Sequence, residues 1–258
     1  MTDQPVFTGV GVPVVTLFDA SGALLAEATA EHAARLVELG VRAVVVAGST
    51  GEAAALSPAE RVTLLDAVRS AVPPATGVPV IAGTGAPSAR QAVALTKAAA
   101  DHGADAVLVL SPPGTDDPRL YYDRVAVAAG RVPVLAYHFP VMSAPGIPFA
   151  ALGDLPVVGC KDSSGDPDRL LETVAGWDRA LYTGSSALLS FAGPLGCAGA
   201  IVTLANVEPE RCVEAFDGDV AAQLALADAH EASGVRLPVG IKELTARRFG
   251  TPVTVRVG

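Results

Sequence analysis

The sequence predicts a parallel (β/α)8 TIM barrel, and three observations carry that reading. Short apolar runs alternate with segments of helical spacing eight times along the 258 residues. The runs are apolar almost throughout, the pattern of strands covered on both faces. The helix–glycine–strand passage at 39–46 is echoed at 102–109, about two βα units later, and more weakly from Gly196. A doubly wound open sheet shares the alternation, but no GxGxxG follows the first run, so the barrel is favoured.

Each element has its own local reason. Residues 9–18 form the expected first strand, although Pro13 there needs a bulge or an edge-like position. Residues 26–39 have helical spacing and stop at Gly40, the residue expected just past a helix end. Residues 43–47 read as the second strand, with the turn Gly48-Ser49-Thr50-Gly51-Glu52 after it. Ser57-Pro58-Ala59-Glu60 opens the next helix with a capping box, and Ser88-Ala89-Arg90-Gln91 opens another that runs to His102. Strands three to five are expected at 79–83, 106–110 and 133–137. A helix at 120–129 precedes the fifth and a short one at 149–152 follows it. Strands six to eight are expected at 157–161, 180–184 and 199–204, separated by helices at 169–177 and 186–195. Helical segments at 211–216, 219–231 and 240–249 complete the chain. No low-complexity linker divides it, so residues 1–258 read as one barrel domain with extra helices from about 208.

Composition narrows the function classes. Half of the residues are hydrophobic and the mean hydropathy is +0.43. No run reaches the roughly 18 apolar residues of a spanning helix, and the N-terminus has no basic or apolar leader pattern. A cytoplasmic protein without a membrane partner is expected. The net charge of −9, with arginines scattered singly, argues against nucleic acid. Cys160, Cys197 and Cys212 are odd in number and lack CxxC spacing, so they read as reduced thiols. Cys160 should face away from its neighbour Lys161 by strand alternation. The four histidines have no metal-ligand spacing, so no metal site is expected.

Positive charge is supplied by fifteen arginines and only three lysines, Lys97, Lys161 and Lys242. Lys161 sits where an apolar strand stops. A desolvated amine can lose its proton and attack a carbonyl, which a guanidinium cannot do. If the strands close into a barrel, residues just after them gather at one face. Lys161 would then meet Tyr137, at the end of strand five, and the glycine-flanked turn at 48–52. An amine, a phenol and a cluster of backbone N–H donors make a Schiff-base site for a 2-oxo acid, with Tyr137 shuttling protons and the turn holding the carboxylate. Each part also has a plain structural reading: a stretched lysine stem, a packed aromatic, an ordinary βα loop, and a Glu52 that supports that loop.

Three ordered motifs carry a resemblance. Gly48-Ser49-Thr50-Gly51-Glu52, Tyr137-His138-Phe139-Pro140 and Gly159-Cys160-Lys161-Asp162-Ser163-Ser164-Gly165 resemble those of the dihydrodipicolinate synthase / N-acetylneuraminate lyase family. Residues 196–206 and 242–256 resemble its later segments. The resemblance implies a TIM barrel and a class I, pyruvate-dependent aldolase or lyase needing neither metal nor organic cofactor. It implies Lys161 as the Schiff-base lysine, Tyr137 as the catalytic phenol, and Ser49, Thr50, Gly51, Gly184 and Ile201 as substrate-binding positions. It also implies small-molecule partners, a 2-oxo acid and an aldehyde, and a homo-oligomer, dimer or tetramer.

Departures from the family pattern bear on substrate. Synthases of the family carry an arginine two residues after the YNxP proline; here that position is Met142, which offers no charge-assisted bond. Their loop after strand four reads Pro-Tyr-Tyr, whereas this chain has Ser111-Pro112-Pro113-Gly114, with Tyr121 and Tyr122 in the helix beyond. Sialate lyases carry acidic residues after the strand-seven glycine; Gly184-Ser185 is more similar to 2-keto-3-deoxy-sugar-acid aldolases. His138 replaces the usual asparagine, and the C-terminal helical region is shortened. The expected activity is therefore aldol cleavage of a hydroxylated 2-oxo acid. The alternatives are 4-hydroxy-tetrahydrodipicolinate synthase and a non-catalytic barrel that binds a 2-oxo acid.

Overall fold

In the computed structural model, which describes residues 4–234 and 236–257, eight parallel strands close into a barrel in sequence order. They are β1 (Gly9–Pro13), β2 (Ala43–Val46), β3 (Val80–Gly83), β4 (Ala106–Leu110), β5 (Val134–His138), β6 (Gly159–Asp162), β7 (Ala180–Thr183) and β8 (Gly199–Ile201). The helices between them are α1 (Ala26–Glu38), α2 (Pro58–Ala71), α3 (Ala89–Asp101), α4 (Arg119–Ala129), α5 (Phe149–Leu152), α6 (Pro167–Gly176) and α7 (Leu189–Ala192). A helical region follows β8: α8 (Pro209–Phe216), α9 (Val220–Ala225), α10 (Ala227–Gly234) and α11 (Val239–Phe249).

Local chemistry sets the helix starts. At α2 the full capping box forms: Ser57 Oγ accepts from the Glu60 N–H, and the Glu60 carboxylate accepts from the Ser57 N–H. At α3 only half of it forms, because the Gln91 amide accepts from the Ser88 hydroxyl and not from the backbone. Helix α6 begins two residues before the expected 169, because the Asp166 carboxylate accepts from the N–H groups of Asp168 and Arg169, with proline in the first turn.

Period-two alternation divides the core into two shells. Val45, Ile81, Leu108, Leu135, Tyr137, Tyr182 and Ile201 fill the barrel, while their strand neighbours Val44, Val80, Val107, Ala136 and Cys160 pack outward against the helices. Each fully buried Val, Leu or Ile contributes about 1.5–3 kcal/mol. The N-terminal end of the barrel is plugged by Phe7, whose ring stacks on Tyr182 at 4.6 Å. The Tyr182 hydroxyl donates to Phe7 O at 3.0 Å.

Several expected bounds move, for identifiable reasons. The ladder of β1 stops at Pro13, and the Asn206 side chain continues it, donating to Pro13 O at 2.9 Å and accepting from the Val15 N–H at 2.9 Å. Proline therefore stands where the β8 ladder has ended and no N–H is required. To bring Asn206 there, the apolar run at 199–204 leaves the sheet after Ile201 and winds into a 3-10 turn at Thr203–Asn206. Strand β6 starts at Gly159 because the Val157 N–H turns back onto Leu155 O. The segment at 186–195 is a 3-10 turn (Ser186–Leu188) followed by the short α7. The expected helix at 219–231 is two, since the Leu226 N–H bonds back three residues to Gln223 O and redirects the chain over the barrel mouth.

Candidate active site

Strand pairing brings Lys161 and Tyr137 together. They are lateral partners in the β5–β6 register and share the inward phase of the alternation near the C-terminal end of the barrel. Lys161 Nζ lies 4.3 Å from the centroid of the Tyr137 ring, and each residue is only 5% exposed. Among the described residues the Lys161 amine has no carboxylate partner, and it sits over the face of the phenol ring.

Above this pair opens a cavity of about 1320 Å³. Ser49, Thr50, Tyr137, Lys161 and Gly184 all line it, so five of the seven expected site residues converge on one space. Gly184 is there because nothing larger fits. A Cβ at this position would overlap Ser163 Oγ and press on Lys161 Cε at 3.0 Å. Gly51 and Ile201 are outside the lining. Gly51 lies behind the turn, where its carbonyl accepts from Thr16 Oγ1 at 2.7 Å, and Ile201 belongs to the apolar layer inside the barrel.

The turn at 48–52 is closed by Glu52 N–H to Ser49 O at 3.1 Å. Thr50 Oγ1 lies 2.8 Å from Thr203 Oγ1, which joins the turn after β2 to the turn after β8. Sequence reasoning missed Thr203; its signal is a polar residue interrupting an apolar run at a strand end. Glu52 supports the loop, as expected, through partners 190 or more positions away that no local pattern reveals.

The departures from the family motifs now have positions. His138 points out of the barrel: its Nδ1 accepts from the Ile147 N–H at 2.8 Å, which pins the loop after β5 and requires the neutral ring. Burial lowers its pKa in the same direction. Met142 is 53% exposed at the cavity edge and brings no charge. Tyr121 and Tyr122 lie in α4 with hydroxyls donated to Ala86 O and Val109 O, away from the amine. The Cys160 thiol faces the helices, and burial pushes its pKa up to about 12, so it is an inert core group.

The roof of the cavity comes from the C-terminal helices. His230 on α10 lines it, with Nδ1 2.8 Å from Ser186 Oγ, just past β7. Among the described residues no group of three or more His, Cys, Asp or Glu side chains could hold a metal ion, and no helix is long and apolar enough to cross a membrane.

Comparison with known proteins identifies the family and supports the fold. The model of the dihydrodipicolinate synthetase family matches residues 6–256. The chain is 42% identical over 224 residues to an uncharacterised DapA-like lyase of Halobacterium salinarum, covering 81% of this chain and 72% of that protein. It is 36% identical over 232 residues to a probable mitochondrial 4-hydroxy-2-oxoglutarate aldolase of Emericella nidulans, covering 84% and 75%. Its fold superposes on the crystal structure of dihydrodipicolinate synthase from Cyanidioschyzon merolae with lysine bound, with a TM-score of 0.89, 27% identity, and coverage of 97% and 91%. The chain belongs to the dihydrodipicolinate synthetase family of pyruvate-dependent lyases and aldolases.

Proposed function

We propose that the protein is a Schiff-base aldolase that cleaves a hydroxylated 2-oxo acid to pyruvate and an aldehyde, with Lys161 as nucleophile. The observation that carries this is the buried Lys161 amine, facing the cavity beside Tyr137 with no carboxylate partner among the described residues. Its Nζ attacks the 2-oxo carbon, and the carbinolamine loses water to give an iminium. Tyr137 relays protons for both steps. The C3–C4 bond then breaks as the C4 hydroxyl loses its proton and the electron pair enters the iminium, leaving an enamine and the aldehyde. Protonation at C3 and hydrolysis release pyruvate and the amine. Ser49 and Thr50, with the N–H groups of their turn, receive the substrate carboxylate.

For the aldehyde half, Gly184-Ser185 supports a 2-keto-3-deoxy-sugar acid, and the aldolase relative acts by its name on a hydroxylated 2-oxo acid. The synthase reading is favoured by the structural neighbour. It lacks support at Met142, where a guanidinium would be needed for a second carboxylate. Installing Met142→Arg and assaying aspartate semialdehyde turnover separates the two readings: gain of turnover supports the synthase lineage.

The test of the imine is intact mass after incubation with pyruvate and borohydride. The native chain should gain one reduced pyruvyl group and Lys161→Ala none. A folded native chain without adduct would sink the proposal, and an adduct without turnover of any aldehyde would favour a non-catalytic 2-oxo-acid binder.

A further inference from the structure

The turn assigned above to the substrate carboxylate carries an acid of its own. Glu52 closes that turn, and a bare carboxylate there would oppose an incoming anion. Its surroundings answer the charge completely. Glu52 Oε1 accepts from Lys242 Nζ at 2.5 Å, and Oε2 accepts from the backbone N–H groups of Arg256 and Val257 at 2.7 and 3.0 Å. Neither side chain of the Glu52–Lys242 pair has any solvent exposure. Lys242 Nζ also donates to Thr254 O at 2.6 Å and lies 4.5 Å from the Phe18 ring. Glu52 itself has φ of +55°, in the left-handed region that a residue with a β-carbon enters only when its surroundings hold it there. The shape of the turn and the pairing of its acid are thus one arrangement, held by α11 and the segment after it.

We infer that Lys242 and Glu52 are positioning residues of the anion-binding turn, with Lys242 cancelling the turn's own negative charge so that a 2-oxo acid's carboxylate is accepted at Ser49 and Thr50. This rests on the aldolase reading and extends it to two side chains that are closed off from solvent. A neutral pair would serve shape alone; a charged pair also controls which ligand charge is admitted.

The test compares pyruvate with its uncharged methyl ester in borohydride trapping, reading the half-saturating concentration of each for the native chain, Lys242→Met, Glu52→Gln and the Glu52→Gln/Lys242→Met double variant. In Lys242→Met the pyruvate value should rise about tenfold while the ester value stays within about twofold and the adduct at saturation remains complete. Glu52→Gln should shift the pyruvate value the other way, and the double variant should return it towards native. An equal rise for acid and ester, or no rise, in a folded Lys242→Met chain overturns the inference and reduces the pair to a structural brace. If Lys242→Met fails to fold, Glu52→Gln decides by sign: a fall for pyruvate alone supports the inference, and any other result overturns it. Absence of adduct in the native chain removes the aldolase reading and this inference together, whereas native adduct with unshifted variants removes the inference alone.

Discussion

The barrel mouth around Lys161 and the buried joint around Lys242 each enclose a lysine, at 5% and 0% exposure, in opposite company. Lys242 is met by a carboxylate, a carbonyl and an aromatic face. Lys161 has the Tyr137 ring on one side and an open cavity on the other. An ammonium has three donors, and leaving them unfilled inside a protein is costly. The filled lysine is therefore a fastener. Lys161 instead faces the cavity, where a ligand can reach it, and that separates chemistry from architecture among groups of the same type.

Four experiments break or sharpen this contrast. The largest effect is expected for Lys161→Ala, with activity falling on the order of 10⁴-fold or more while the melting temperature stays near native, since among the described residues it has no ion pair to lose. A large drop in stability there would erase the distinction. Next comes Lys242→Met, which strands a buried carboxylate and should cost about 3–5 kcal/mol in denaturant unfolding. Glu52→Gln/Lys242→Met should recover most of that loss. Tyr137→Phe keeps the ring beside Lys161 and removes only the hydroxyl, so turnover should fall about 10²–10³-fold while the borohydride adduct still forms, more slowly.

The smallest effect is the pH dependence that His32 contributes on the α11 side. His32 on α1 lies edge-on to Phe249 of α11 at 5.3 Å, and burial, aided by the nearby Arg35 charge, holds its pKa down to about 4, against 6.5 for an exposed ring. Above pH 6.5 the ring is neutral in both states and no stability is lost. Between there and pH 4 only the unfolded chain takes up the proton, so stability falls as pH falls, by roughly 2–3 kcal/mol. Unfolding curves from pH 7.5 to 4.5 should show that slope, and His32→Leu should reduce it, leaving the part that the neutral His138 ring contributes.

What the sequence disclosed and what it withheld divide along the range of the interactions. The capping box at Ser57 was legible because both partners lie within three residues. That Lys161 and Tyr137 share one cavity was legible because strand ends meet at one face whatever the side chains between them, whereas Gly184 entered only through the family resemblance. The end of β8 was not, because Asn206 answers to Pro13 and Val15, almost the whole chain away. Nor was the role of His138, since an asparagine-to-histidine change says nothing about which backbone N–H the ring will meet. The split of α9 from α10 escaped for a similar reason: apolar spacing continues through Leu226 while the backbone bond pattern does not.

The Glu52 joint also sets an order in time. Its partners stand at positions 242, 256 and 257, so they leave the ribosome after every strand of the barrel has been made. A nascent chain complete through β8 already contains Ser49, Thr50, Tyr137, Lys161 and Gly184, yet its turn carries an unanswered acid. Long-range contacts of this kind form late, after the local ones they depend on. On the reading proposed above, a turn made early in the chain thus waits for residues 242–257 before its acid is answered, and until then the barrel has no finished seat for a carboxylate.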